Sequence, residues 1–256
     1  MAETWNDVDS GGEYSQTWFS NFENHYIHNS IVDIVAGDLV MLQLTSYVAA
    51  GTSRSFSVTG ANGLTWALQD SYVSADGKTR SELWYAVATT TIGHTGARGS
   101  SRRIALPVSS ITEDALVYAC RVGNGIPDTA AWLAGMVEGD FSTAYLETGS
   151  LEIDSAGAST FYAVTTIPSV QSPTGGSFTP NVDFGVTNPA VQTNSYAGNG
   201  FPGAVLGTWD AGTDGTEYVR NQHNGGSENW HIWGFPGASE IEAFWGIDLG
   251  TGADAQ

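Results

Sequence analysis

The chain has 256 residues, of which 27 are acidic and 8 basic, for a formal net charge of −19 and a sequence pI near 4.2. A surface this anionic has no basic stripe with which to displace counterions from phosphate, so nucleic acid is not an expected partner. Nor is membrane insertion expected, since no run approaches the roughly 18 apolar residues of a membrane span.

Lys78 is the only lysine, and the carboxylates are scattered along the chain. This fits a salty habitat, where screening over about 3 Å at 1 M salt makes self-repulsion tolerable. An acidic exterior kept soluble by charge would look similar. The amino terminus lacks a basic segment followed by an apolar run, so export by a signal peptide is not expected.

The first 30 residues hold Trp5, Tyr14, Trp18, Phe19, Phe22 and Tyr26, and read as an aromatic assembly arm for engaging neighbouring subunits, preceding a single β-sandwich domain over 31–249. The 32 glycines punctuate short apolar runs, and helical periodicity is hard to find. From Asp38, alternation places Val40, Leu42 and Leu44 on one face and Leu39 and Met41 on the other, which predicts a central strand covered on both sides.

Asp76-Gly77 is a hairpin signal, after which residues 80–88 form a strand with Leu83, Tyr85 and Val87 on one face. In 114–122, Leu116, Tyr118, Cys120 and Val122 share a face, making the lone cysteine a buried small hydrophobe. Further strands are expected at 53–59, 64–69, 101–108, 158–166, 204–209 and 216–220. A closing strand is expected through Ile241, Ala243, Trp245, Ile247 and Leu249, followed by a tail over 250–256. Ten or more strands without intervening helices predict an all-β fold, a two-sheet antiparallel sandwich of jelly-roll-like kind. The segment 168–203, with five prolines, interrupts the rhythm as a long loop suited to engaging a neighbour.

No constellation points firmly to catalysis. There is no Gly-x-Ser-x-Gly elbow. Glu138 with Asp140, or Asp210 with Asp214, could serve glycoside hydrolysis only if set about 5–10 Å apart across a groove. Asp210 and Asp214 could equally offer oxygens to Ca²⁺ or Mg²⁺ as a structural ion, although they lack EF-hand spacing and a tight turn accounts for them as well. His25 and His28 have a metal-ligand spacing only if helical.

The strongest binding candidate is the aromatic loop with His223, Trp230, His231, Trp233 and Phe235. Exposed, such rings stack on sugars; buried, they fill a sandwich end or a subunit interface.

Several segments carry a resemblance. Gly37-Asp38-Leu39-Val40, Glu82-Leu83-Trp84-Tyr85-Ala86, Ala115-Leu116-Val117-Tyr118, Ser227-Glu228-Asn229-Trp230 and the run from Ala243 to Leu249 resemble a β-sandwich module of tailed-phage and haloarchaeal tailed-virus virion proteins, found also in secreted bacterial proteins. The resemblance covers roughly residues 31–249 and implies no catalytic residues and no required cofactor.

It also implies a repeated subunit on capsid or tail, as turret, decoration or fibre, partnered by itself and other virion proteins and assembled in the host cytoplasm. A second expectation is a carbohydrate-binding module or receptor-binding fibre head that recognises host surface glycans.

Overall fold

The computed structural model describes residues 4–8, 22–48, 51–53, 55–94, 103–111, 115–126, 128–144, 151–156, 159–167, 179–183, 204–210, 214–222 and 227–237. The closing strand expected at 241–249, the tail and most of 168–203 lie outside them.

Among the described residues, eight strands come first: β1 (Thr4–Asp7), β2 (Phe22–His28), β3 (Leu39–Tyr47), β4 (Thr59–Gly60), β5 (Ala67–Val73), β6 (Thr79–Val87), β7 (Arg103–Ile111) and β8 (Ala115–Asn124). They form a sheet of order β1-β8-β3-β6-β5 and another of order β2-β7-β4, with every pairing antiparallel. First pairs with eighth, second with seventh and third with sixth. This nested pairing is the wrapped hairpin of a jelly roll.

One short helix follows, α1 (Thr129–Ala134), which the sequence pattern did not announce. The side chain of Asp128 caps it by accepting from Ala131 N at 2.9 Å, and Gly135 ends it. Six residues are too few for a helical period to show, but the helix has a purpose in packing: it buries Trp132 and Leu133.

Seven more strands then appear: β9 (Val137–Ala144), β10 (Leu151–Ala156), β11 (Ser159–Ile167), β12 (Thr179–Asp183), β13 (Ala204–Asp210), β14 (Asp214–Gln222) and β15 (Ser227–Phe235). Their sheets run β9-β15-β11-β13 and β10-β14-β12. Position for position, this is the order of the first set: first beside last beside third beside third-from-last, and second beside next-to-last beside fourth. The described residues therefore form two jelly rolls in tandem, joined by α1, with β5 as an additional edge strand in the first.

The antiparallel sandwich expected from the sequence is present, and it is extended by a further layer. One core lies inside the first jelly roll, where Val40, Leu42, Leu44, Tyr118, Cys120 and Val122 meet Ile27, Ile104 and Ala105 of the smaller sheet. A second core lies between the two jelly rolls, where Leu39, Met41, Leu83 and Ala119 meet Trp132, Phe161, Ala163, Leu206, Trp233 and Phe235. The double-sided character of Leu39–Leu44 has its explanation here: β3 is central and covered on both faces. Cys120 is buried in the first core, as expected. The Asp76-Gly77 hairpin joins β5 to β6, with Gly77 at φ +72° and the Asp76 carboxylate accepting from Ser74 Oγ and Lys78 N.

The described residues among the first 30, 4–8 and 22–30, pair into the sandwich. β1 pairs with β8, and β2 pairs with β7. Trp5 lies opposite Gly123, and a Cβ at Gly123 would stand 2.6 Å from its ring. The absence of a side chain lets the indole lie flat on the sheet and reach Phe161 and Trp132, at centroid separations of 4.5 and 5.4 Å. Trp5 thus joins the two jelly rolls of one chain, where an arm for neighbouring subunits was expected. Phe22 and Tyr26 fall in β2, and Tyr14, Trp18 and Phe19 lie outside the described residues.

Candidate functional site

At one end of the seam between the jelly rolls, edge strand β5 faces edge strand β9 and its neighbour β15. Strand alternation puts His231, Trp233 and Phe235 on the seam side of β15. Asp140 and Glu138 of β9 stand directly opposite His231 and Trp233, so both carboxylates share that face. A β-bulge supplies the third element. Leu68 pairs with Trp84 and Asp70 with Leu83, leaving Gln69 as the extra residue. Gln69 turns aside to donate to Leu133 O at 3.1 Å, while Asp70 takes Leu83's face and points into the seam.

His231 is the centre of this group and is 5% exposed. Its Nδ1 lies 2.7 Å from Asp140 Oδ1. Its ring stacks on Tyr72 at 4.3 Å and meets Trp233 edge-on at 4.4 Å. Burial lowers its pKa from 6.5, opposed by the hydrogen bond to Asp140 and by the charges of Asp140 and Asp70.

Burial thus favours the neutral imidazole. An ionised carboxylate can only accept, so the ring proton sits on Nδ1 and the Nε2 lone pair is left facing Glu138. Nε2 and Glu138 Oε2 are 3.5 Å apart, and Nε2 makes no hydrogen bond.

Glu138 and Asp70 complete the cluster. Trp233 Nε1 donates to Asp70 Oδ2. The Glu138 carboxyl is raised above 4.5, first by a hydrogen bond shared with Asp70, then by burial and by the charges of Asp70 and Asp140. One ligand atom each from Asp70, Glu138 and His231 lies within 4.8 Å of the others. Tyr72, covering the ring, is raised by burial and by the charges of Asp140 and Asp76.

The residues singled out from the sequence divide as follows. His231, Trp233 and Phe235 are in strand β15 and buried, not in an exposed loop, because each serves the packing between jelly rolls. Trp230 lies in the same strand opposite Phe141, and His223 lies outside the described residues. Asp210 ends β13 and Asp214 begins β14, in different sheets. Glu138 and Asp140 do come together, but from one strand and around one histidine instead of across a groove. His25 and His28 lie on strand β2, where a three-residue spacing no longer stacks side chains as it does on a helix.

Asp70 was missed from the sequence, because its place depends on the Gln69 bulge and on a partner sheet more than 60 residues away in the chain. Scans of family models and searches of curated proteins and of solved structures return no match for this chain.

Proposed function

We propose that this chain is a non-enzymatic structural protein of a tailed-virus particle, a repeated subunit on the surface of capsid or tail. The observation that supports this reading most is the tandem pair of jelly rolls stacked through a shared core, a scaffold that suits a rigid building block. Jelly rolls recur in viral capsids, and the role follows by analogy with that use of the fold. A net charge of −19 gives the unit a solvated exterior and makes neighbour contacts dependent on screening. The arrangement would serve mechanical work, with the particle's other proteins and further copies of this chain as partners.

Jelly rolls also carry lectin sites, which keeps glycan recognition as the second reading. It is the weaker one, because Trp233 and Phe235 are fully buried and offer no ring face to a sugar. Electron microscopy of concentrated protein in molar NaCl, run alongside an immobilised glycan panel, distinguishes the two. Regular oligomers without glycan binding are expected. Dispersed single chains with saturable binding to one glycan class would overturn the structural reading in favour of the second.

A further inference from the structure

We infer that Asp70, Glu138 and His231 form a site for one divalent transition-metal ion of the zinc type, clamping the first jelly roll to the second. Three groups able to ligate an ion converge here: the Nε2 of His231, which makes no hydrogen bond, and the carboxyls of Glu138 and Asp70, which share one hydrogen bond. A lone pair facing a carboxylate oxygen at 3.5 Å is too distant for a hydrogen bond and is repulsive unless something positive stands between them.

Two ligands at about 2.0–2.2 Å from one tetrahedral ion sit roughly 3.3–3.6 Å apart, which matches this separation. The histidine is buried and its other nitrogen is held by Asp140 at 2.7 Å, the carboxylate-histidine arrangement that orients a metal-bound imidazole. Asp140 is thus a positioning residue, and the ligands are the other three.

The donor set argues for the class of ion. One imidazole nitrogen with two carboxylates suits Zn²⁺ and its first-row neighbours, whereas Ca²⁺ and Mg²⁺ seek six or more oxygens. The ligands come from β5 on one side and β9 and β15 on the other, so an ion would pin the seam at its solvent-facing end. Glu138, with a side chain 55% exposed, gives the entry path.

The test is calorimetric titration of the chelator-stripped full chain with Zn²⁺ in excess NaCl and Ca²⁺, so that scattered carboxylates are already screened or occupied. One Zn²⁺ per chain is expected, with a rise of several degrees in the thermal midpoint as the folded state is drawn down by mass action. Glu138→Gln and Asp70→Asn should abolish this stoichiometric binding. Asp140→Asn should keep the stoichiometry and weaken affinity roughly 10–100-fold. Asp33→Asn, at the exposed His94 pair, should change nothing. Folding of each variant is checked by its metal-free circular dichroism. Absence of stoichiometric binding, displacement of Zn²⁺ by Ca²⁺, or unchanged binding in folded Glu138→Gln and Asp70→Asn would each overturn the site.

Discussion

Replacing Trp132 with alanine should cost about 4 kcal/mol, lowering the thermal midpoint by about 10 °C. The indole is fully buried between the jelly rolls. It stacks on Phe235 at 4.4 Å with 9° between planes, meets Phe161 edge-on at 5.9 Å and lies 5.4 Å from Trp5. Its Nε1 donates to Pro236 O at 2.9 Å. Alanine would empty the middle of an aromatic cluster whose members come from β1, α1, β11 and β15, and would leave that carbonyl without its donor.

Because the cluster is the contact between the halves, the loss should fall on their docking. Urea denaturation followed by tryptophan fluorescence should then show two transitions for Trp132→Ala and a single one for the native chain. A single transition at the native midpoint would mean that the seam contributes little.

The second large effect is at Glu82, on the core-facing side of β6. Its side chain is 1% exposed. The carboxylate accepts from Phe56 N at 3.3 Å and from Trp84 Nε1 at 3.0 Å, and pairs with Arg80 at 3.3 Å. Glu82→Ala strands these donors beside an apolar core and should cost about 3 kcal/mol by denaturant titration.

A pH dependence accompanies it. Burial raises the folded carboxyl above its ordinary 4.5, with the hydrogen bonds and Arg80 offsetting part of the rise. Between 4.5 and that higher value the unfolded chain has released the proton while the folded chain keeps it. The contribution of Glu82 is therefore fully present below 4.5 and is lost as pH climbs through the folded value. Relative to Glu82→Gln, the native chain should lose stability as pH rises from 4.5. A gain over that interval would contradict the account.

What was legible in the sequence was whatever strict alternation encodes. Leu39–Leu44 and Tyr118–Val122 gave their faces correctly because every second residue is apolar and the sheet is covered on both sides. Asp76-Gly77 gave its turn because only the positive φ at Gly77 lets the chain reverse there.

β15 was misread as a loop because Gly225, Gly226, Gly234 and Pro236 crowd around it, although the period of two through His231, Trp233 and Phe235 was already visible. The tandem repeat is one of strand order, set by long-range pairing, so local pattern could not reveal it. Of the acidic cluster around His231, Glu138, Asp140 and His231 drew attention as residue types. Asp70 needed the bulge and the stacking of two sheets before it could be placed beside them.

On the proposed reading, this acidic unit assembles by contacts that screening permits. Light scattering of the purified chain in about 2 M NaCl and again in about 0.1 M NaCl, where the Debye length lengthens from under about 3 Å to about 10 Å, tests it most directly. A discrete oligomer at high salt that dissociates at low salt is the predicted result; a salt-indifferent monomer, or an oligomer that tightens as salt is removed, would contradict it.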